Sequence, residues 1–280
     1  MKVQPEDLRE TVVVTGATGF LGRHVMARLR EEPVKIVAAA RALEDAPESR
    51  HLDIRDDPKG AYEKLGCPDR VIHLAWGGLP NFRKESHLVE ELPAHKAFLG
   101  ELLAAGLKSL TVAGTCLEYG IREGELWEGM EAAPDTAYGI SKDRLRRWLE
   151  QRREQSAFGL TWGRIFYVYG EGQSERALLP QLAAAAKGTG VLDMSGGEQV
   201  RDFVPVTEVA DALVRLTLGG GDHGVVNICS GRPKTVREQV EEWLEENGWE
   251  LKLNLGRYPY PDYEAMSFWG SREKLKQCLS

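Results

Sequence analysis

Residues 11–22 read TVVVTGATGFLG, and this stretch decides the fold. Its first five residues are all β-branched, as in a short buried strand, and a glycine follows at once. Beyond the glycines, Leu21, Val25 and Leu29 recur at the spacing of one helical face. The stretch therefore predicts a strand, a glycine turn and a helix, in that order.

Further apolar runs continue this alternation along the chain. Strands are predicted at 34–40, 70–75, 107–113 and 160–168, and helices at 88–105 and 138–151. Strands that alternate with helices form βαβ units with parallel strands. The pattern therefore predicts an α/β fold built on a doubly wound parallel sheet.

The glycine turn has the spacing of a phosphate-binding loop. Gly16, Gly19 and Gly22 give G-x-x-G-x-x-G between a strand and a helix, so main-chain N–H groups and the helix N-terminus can approach a pyrophosphate. Glycines at this spacing also occur in ordinary turns. Their place directly after the first strand favours a dinucleotide ligand and a Rossmann-like sheet.

After Gly170 the alternation of strands and helices loosens. A helix at 178–186, a strand at 225–229 and a helix at 236–246 indicate a smaller mixed lobe. We expect an NAD(P)-binding domain at 1–170, with contributions from about 200–230, and a mainly substrate-binding lobe at 171–280. No flexible linker separates the two parts, so we expect them to share one cleft.

The end of the second predicted strand bears on the choice of cofactor. An acidic residue there would accept the 2′-hydroxyl of NAD, but this strand ends in three alanines and Arg41. A guanidinium suits the 2′-phosphate, so NADP(H) is favoured and NAD(H) remains open. The alternative is that Arg41 is a solvated charge at a strand end. Asp53 and Ile54 follow as candidates for contact with the adenine.

Composition and charge exclude several classes of function. The chain has 280 residues, with 36 Lys and Arg against 43 Asp and Glu and a net charge of −7, so neither nucleic acid nor a membrane surface is expected as a partner. The four cysteines form no C-x-x-C pair, which argues against a metal site and a disulfide framework. With no long apolar run and a polar N-terminal segment, the chain is expected to be cytoplasmic.

Tyr138 and Lys142 are the candidate proton-transfer pair. Their i, i+4 spacing puts phenol and ammonium on one helical face. The ammonium would favour the phenolate, which makes Tyr138 a candidate acid or base. Thr115, at the end of a predicted strand, can donate a hydrogen bond to a substrate carbonyl. A Tyr-x-x-x-Lys pair alone is weak evidence, because it is common on helix surfaces.

The order of these motifs resembles the extended short-chain dehydrogenase/reductase family, in its NAD(P)-dependent nucleotide-sugar epimerase/dehydratase branch. The similarity runs from residue 11 to about residue 231 and rests on four motifs jointly. They are TGATGFLG, HLA at 73–75, YGISK at 138–142 and RDFVPV at 201–206. The resemblance implies hydride transfer between a nicotinamide and a sugar carbon, with Thr115, Tyr138 and Lys142 in the roles given above. It also implies a homodimer joined through the helices near Leu88 and Tyr138.

The resemblance further implies which residues contact the ligands. The expected cofactor contacts are Gly16, Thr18, Gly19, Phe20, Leu21, Gly22, Arg41, Asp53, Ile54, Leu74, Ala75, Trp76, Tyr138 and Lys142. The expected substrate contacts are Trp76, Thr115, Tyr167 and Arg201. Arg201 is expected at the diphosphate of a nucleotide sugar, since a guanidinium binds phosphate oxygens in pairs. The alternative is a buried ion pair of Arg201 with Asp202 or another carboxylate.

The sequence departs from the family pattern at several positions. Members that act as 4,6-dehydratases carry Asp-Glu after the Ser/Thr, whereas this chain has Cys116 and Leu117, so a dehydratase is not expected. Cys116 is interpreted as a small buried hydrophobe and Glu118 as a structural residue. His95 stands where many relatives have asparagine, and Tyr167 replaces another asparagine. His95 is interpreted as a buried helix histidine.

Three functions therefore remain open. The first is NADP(H)-dependent reduction of a nucleotide-linked 4-keto-6-deoxyhexose, with Tyr138 as proton donor. The second is a nucleotide-sugar 4-epimerase with tightly bound NAD. The third is a nucleotide-binding regulator without catalysis, against which the intact set of Thr115, Tyr138 and Lys142 argues.

Overall fold

The computed structural model describes residues 10–43, 46–220, 222–260 and 262–280. The polar segment 1–9, on which part of the expected cytoplasmic location rests, lies outside the described residues. Within these ranges, no helix combines the length and the apolar character that a membrane crossing requires.

The strands of the described residues fall into one large sheet and three small ones. In chain order they are β1 (Thr11–Thr15), β2 (Lys35–Ala40), β3 (Ser49–His51), β4 (Arg70–His73), β5 (Ser109–Thr115), β6 (Gly124–Leu126), β7 (Gly159–Ile165), β8 (Tyr167–Tyr169), β9 (Val191–Asp193), β10 (Val200–Pro205), β11 (Gly224–Ile228), β12 (Pro233–Thr235), β13 (Lys252–Asn254) and β14 (Phe268–Gly270).

The large sheet has seven strands in the order β11-β7-β5-β4-β1-β2-β3, and every pair in it is parallel. The order reverses between β1 and β4. Strands β2 and β3 lie on one side of β1, and β4, β5, β7 and β11 are then added on the other side. Parallel strands all end at one edge, so the reversal opens a crevice there. The predicted doubly wound α/β fold is confirmed.

Helices cover both faces of this sheet. In chain order they are α1 (Phe20–Leu29), α2 (Ala61–Lys64), α3 (Leu92–Ala104), α4 (Ala137–Arg153), α5 (Leu178–Lys187), α6 (Val206–Leu218), α7 (Val236–Asn247) and α8 (Glu273–Leu279). One core joins α3 and α4 to the sheet through residues such as Phe98 and Leu145. A second core lies on the other face, where Val25 of α1 meets Leu213 of α6.

The C-terminal half adds the small sheets and a core of its own. β10 pairs with β8 and β12, β9 with β13, and β6 with β14. Leu182, Met194, Val240 and Trp243 are buried together between α5, α7 and these strands. Two residues of the 262–280 segment, Ala265 and Phe268, instead pack with Phe166, beside the end of β7. The C-terminal segment therefore reaches back to the carboxyl edge of the large sheet.

One predicted helix is confirmed with a π-helical turn at its start, and one predicted strand differs from the structure. The helix expected at 88–105 begins as a π-helical turn, His87–Glu91, and continues directly into α3, whose first turn carries Pro93. Proline has no N–H to donate and is tolerated in the first turn of an α-helix. The strand expected at 160–168 stops at Ile165, and residues 167–169 pair with β10 in another sheet.

Candidate active site

The glycine turn after β1 is shaped by close contacts between main-chain segments. Gly16 has a φ of +70°, and a Cβ there would lie 2.8 Å from the nitrogen of Ala75. A Cβ on Gly22 would lie 2.1 Å from the carbonyl oxygen of Gly16. Neither position leaves room for a side chain, so the turn folds tightly under the start of α1. The predicted strand, turn and helix are all present.

The N-terminus of α1 faces the crevice with unpaired donors. Gly19 precedes the helix and has no side chain to cap it, so the first N–H groups of α1 have no partner within the helix. Such groups and the helix dipole favour an anion. The cradle of Gly16, Gly19 and Gly22 therefore fits the pyrophosphate of a dinucleotide.

A cavity of about 390 Å³ extends from this turn along the ends of β2 and β4. Nine of the predicted cofactor residues line it: Gly16, Thr18, Gly19, Arg41, Asp53, Ile54, Leu74, Ala75 and Trp76. At its rim Arg41 is exposed, and the Asp53 carboxylate accepts hydrogen bonds from the main chain and guanidinium of Arg55. These hydrogen bonds lower the pKa of Asp53. The guanidinium groups of Arg41 and Arg55 thus lie in this lining together with the carboxylate of Asp53.

A second cavity of about 430 Å³ shares Gly16, Gly19, Leu74 and Trp76 with the first. Its lining includes Thr115, Tyr138 and Lys142 together with Phe20, Leu21, Gly22 and Tyr167. The structure therefore brings the three predicted catalytic residues into one space, next to the glycine turn. Their chemical roles stay predictions.

Thr115 is held at the end of β5 by the residue three places further on. Its N–H donates to Oε1 of Glu118 at 2.9 Å, and its Oγ1 accepts from the N–H of Leu117 at 3.3 Å. Threonine and glutamate at this spacing form a capping box at the start of the 3₁₀ turn Cys116–Tyr119. This fixes where the hydroxyl of Thr115 points.

Glu118 is fully buried and neutralised by cations from other elements. Its Oε2 accepts from Nε of Arg164 at 2.8 Å and lies 4.0 Å from Nε of Arg146. Its Oε1 also accepts from the indole N–H of Trp162 at 2.9 Å. The structure agrees with the interpretation of Glu118 as a structural residue. Glu118 supports the end of β5, because its carboxylate accepts the N–H of Thr115.

Tyr138 and Lys142 lie on the first turns of α4, both buried. Burial raises the pKa of the Tyr138 phenol well above its usual value, and the charge of Glu118 adds to this. Burial also lowers the pKa of Lys142 to about 7, against the opposing effect of the carboxylates of Glu118 and Glu91. The Lys142 ammonium donates to the carbonyl oxygen of Ala113 at 2.9 Å and lies 5.7 Å from the centre of the Tyr138 ring.

Arg201 differs from the expectation that it reaches a diphosphate. Its side chain is 3% exposed and forms an ion pair with Glu264 at 2.9 Å. Its other donors bind the hydroxyl of Tyr167 and the main-chain oxygens of Val200 and Met266. The structure therefore shows the alternative of a buried ion pair. The partner is not the adjacent Asp202, which instead accepts hydrogen bonds from residues 230, 231 and 270.

Several cavity residues were not predicted as site residues from the sequence. Glu264 and Phe82 line the second cavity, and Glu91 lines the first. His95 also lines the first cavity, and its interpretation as a buried helix histidine is confirmed. No local pattern marks Glu264 or Phe82, because each reaches the cleft from a loop distant in sequence. His95 could have indicated the cavity, since it is a polar residue in a predicted apolar helix, at a position where many relatives have asparagine.

Cys116 also lines the second cavity, but it is buried and chemically quiet. Burial raises the pKa of its thiol far above the usual value, so the nucleophilic thiolate is not populated at neutral pH. Its interpretation as a small apolar residue agrees with this environment.

The sheet and its two cavities define a class of protein. A doubly wound parallel sheet, with a glycine cradle at its order reversal, binds dinucleotides at its carboxyl edge. A family model described as "NAD dependent epimerase/dehydratase family" matches residues 12–229. The chain belongs to this family, and the resemblance stated from its motifs is confirmed.

Several similar proteins have names that describe enzymes acting on nucleotide sugars. The chain is 26% identical over 273 residues to dTDP-6-deoxy-L-talose 4-dehydrogenase (NAD(+)) of Aggregatibacter actinomycetemcomitans. This match covers 93% of this chain and 99% of that protein. It is 28% identical to GDP-6-deoxy-D-mannose reductase of Pseudomonas aeruginosa, over 84% of this chain and 79% of the relative. Among solved structures, MoeE5 in complex with UDP-glucuronic acid and NAD superposes with a TM-score of 0.80 at 27% identity, covering 96% and 92% of the two chains.

The glycine cradle gives a first prediction. In Gly22→Ala the new Cβ overlaps the main chain of Gly16, which must shift, so the affinity for NADH or NADPH falls about tenfold or more. Isothermal titration calorimetry measures this loss. Gly100→Ala is the matched control, because it is also a helical glycine but its Cβ would meet Trp148 only at 3.4 Å. Unchanged affinity in Gly22→Ala would contradict the assignment of the cradle.

The buried Glu118 gives a second prediction. Glu118→Gln keeps the size of the side chain but leaves the Arg164 guanidinium without its counter-ion, so the free energy of unfolding falls by about 3 kcal/mol. Urea denaturation followed by circular dichroism measures it. The exposed Glu125→Gln serves as control and changes stability by less than about 0.5 kcal/mol. Equal losses in both variants would refute the structural role.

Proposed function

We propose that this chain reduces the ketone of a nucleotide-linked 4-keto-6-deoxyhexose with NADPH. One observation carries the proposal: Thr115, Tyr138 and Lys142 line a cavity that is continuous with the dinucleotide cradle at Gly16 and Gly19. Relatives named as a 4-dehydrogenase and a reductase of nucleotide-linked deoxyhexoses support the same chemistry.

Tyr138 is the proton donor in this proposal. Because burial raises the pKa of its phenol, it holds its proton at neutral pH and can give it to the ketone oxygen. When bound, the reduced nicotinamide supplies the hydride for the ketone carbon. Thr115 donates a hydrogen bond to the same oxygen, and its orientation is set in advance by Glu118.

Lys142 holds the cofactor and offsets the charge on Tyr138 after proton transfer. Its ammonium points from α4 into the cavity that the phenol also lines, so it is placed for the ribose hydroxyls beside the nicotinamide. An ammonium near the phenolate lowers the cost of the charge left on Tyr138. Apolar side chains such as Phe82 and Leu79 line the same cavity and limit the access of water.

The substrate contacts come from both halves of the chain in this proposal. Trp76 and Thr115 lie on the nucleotide-binding side, at 1–170. Tyr167, also within 1–170, lines the same cavity together with Glu264, which belongs to the proposed substrate lobe at 171–280. A homodimer formed through α3 and α4 remains part of the proposal on the strength of the family resemblance.

Arg41 supplies the preference for NADPH and gives a third prediction. Its exposed guanidinium stands at the cavity rim beyond β2, where the 2′-phosphate would lie. Arg41→Ala therefore weakens NADPH binding about tenfold and leaves NADH binding unchanged, as titration calorimetry would measure. The control is Arg30→Ala, another exposed arginine, at the end of α1. Equal weakening of both cofactors would rule out contact with the 2′-phosphate.

A 4-epimerase with tightly bound NAD is the second candidate, favoured by the name of the family. Epimerisation begins with oxidation, for which Tyr138 must act as a phenolate base. Reduction is placed first because Arg41, at the cavity rim, favours NADPH, the cofactor that a reductase consumes. Loss of NADPH absorbance in proportion to product supports the reductase. Interconversion of hydroxyl epimers without net loss of NADPH would support the epimerase.

The phenol itself gives a fourth prediction. Tyr138→Phe removes the proton donor and lowers kcat by about 10²- to 10⁴-fold, while the Kd of NADPH changes little. Steady-state kinetics over a panel of nucleotide-linked 4-keto-6-deoxyhexoses measures the loss. Tyr258→Phe, at an exposed tyrosine, is the control. If neither the native chain nor the variant turned over any of these sugars while both bound NADPH, the non-catalytic regulator would be favoured.

A further inference from the structure

Two buried histidines fix the indole of Trp76 in the cleft. The ring of His95 is stacked on it, with centroids 4.3 Å apart and planes 9° from parallel. The indole N–H donates to Nδ1 of His87 at 3.1 Å, and Nε2 of His87 donates to the carbonyl oxygen of Asn81 at 2.9 Å. An indole nitrogen can only donate, so this assigns His87 as the neutral tautomer with its proton on Nε2.

His95 is itself held by a chain of buried groups. Its Nδ1 lies 2.8 Å from Nε2 of His73, whose Nδ1 lies 2.8 Å from Oγ1 of Thr15. The same Oγ1 accepts from the N–H of Ala75, the residue before Trp76, at 3.4 Å. The contacts from Trp76 through His95, His73 and Thr15 therefore lead back to the loop that carries Trp76. Burial lowers the pKa of His95 to about 4 and that of His73 well below its usual value, so both rings are neutral.

The two residues after Trp76 press the loop against the same groups. A Cβ on Gly77 would lie 2.5 Å from a carboxylate oxygen of Glu91, and one on Gly78 would lie 2.9 Å from the ring of His87. The N–H of Gly77 donates to Glu91 at 3.0 Å. Glycines at 77 and 78 thus allow an approach that fixes where the indole lies.

The face of this indole contacts the ammonium of Lys142. The nitrogen lies 3.8 Å from the centre of the Trp76 ring system, in a side chain that is 2% exposed. A cation over the face of an aromatic ring is attracted to it, most strongly where water is excluded. Among the described residues, Lys142 is the cation that lies over this ring. The other titratable groups that influence or surround this ammonium are Tyr138, Glu118, Cys116, Glu91, His95 and His73.

We propose that Trp76 is a positioning residue for Lys142: the indole, clamped by His87 and His95, holds the ammonium in place and in its charged form beside the site of the nicotinamide ribose. This role rests on the proposed function for its purpose, but it concerns only contacts within the chain and toward the cofactor. The proposal assigns Trp76 a defined contact with Lys142, whereas the sequence predicted it only as a cofactor and substrate contact.

Binding of NADPH as a function of pH tests the role without any sugar substrate. Trp76→Leu removes the aromatic face, and Trp76→Phe keeps a smaller one without the N–H. Trp148→Leu is the matched control, since it removes an indole from a cation–π contact with Arg152 on α4, the helix that also carries Lys142. Thermal melting of each variant confirms that it is folded, and titration calorimetry gives the Kd.

The sign of the expected pH shift follows from the charge. Rising pH converts the Lys142 ammonium to an amine, which loses its attraction to the anionic cofactor. The indole face stabilises the ammonium, so its removal lowers the pKa of Lys142. The affinity for NADPH therefore falls as the pH rises through the pKa of Lys142. In Trp76→Leu this fall occurs at a pH lower by about one unit than in the native chain. The shift is smaller in Trp76→Phe and absent in Trp148→Leu. A merely structural residue would weaken binding equally at every pH.

A double variant completes this fifth prediction. In Lys142→Met the alkaline fall disappears, and adding Trp76→Leu to it weakens NADPH binding little further, because the two residues act through one contact. Independent, additive losses would overturn the proposal. So would tighter binding in Trp76→Leu, which would show that the indole blocks the cofactor. Since no sugar is used, failure of the proposed reduction leaves this result intact, and the converse also holds.

Discussion

A single buried cation, the ammonium of Lys142, constrains the whole site. Moving an unpaired charge out of water is costly, and among the described residues no carboxylate forms an ion pair with it. The carbonyl oxygen of Ala113 and the face of Trp76 take that place, with Glu91 and Glu118 further away. These groups come from the ends of β4 and β5 and from helices on one face of the sheet. The position of the lysine therefore depends on several crossovers meeting at one edge.

Glu118 is a second buried charge whose electrostatic influence reaches both Tyr138 and Lys142. It is buried, it holds the N–H of Thr115, and it is neutralised by Arg164 from the neighbouring strand β7. Its charge and the burial of Tyr138 both raise the pKa of the phenol. Glu118 and Lys142 are thus two buried charges of opposite sign, each satisfied by parts of the chain far from it in sequence.

Much of the fold could be predicted because its signals are local. Strand β1, the glycine turn and α1 follow from one continuous stretch, residues 11–29, and Tyr138 and Lys142 share a helical face by spacing alone. The failures involve competition between distant partners. The strand expected at 160–168 stops at Ile165 because residues 167–169 pair with β10 in another sheet. Arg201 pairs with Glu264, 63 residues away, and not with its neighbour Asp202.

The sequence alone predicted six of the seven strands of the large sheet, the helices α1, α3, α4, α5 and α7, the glycine cradle and the identity of the candidate proton-transfer pair, but not helix α6. These depend on residue type and short spacing, which act through local backbone sterics and side-chain periodicity. Tertiary structure decided which charges are buried and what satisfies them: Glu118 with Arg164, Arg201 with Glu264, and Trp76 between two histidines and a lysine. Burial and pairing are properties of three-dimensional proximity, because a charge loses its water only when distant segments close around it.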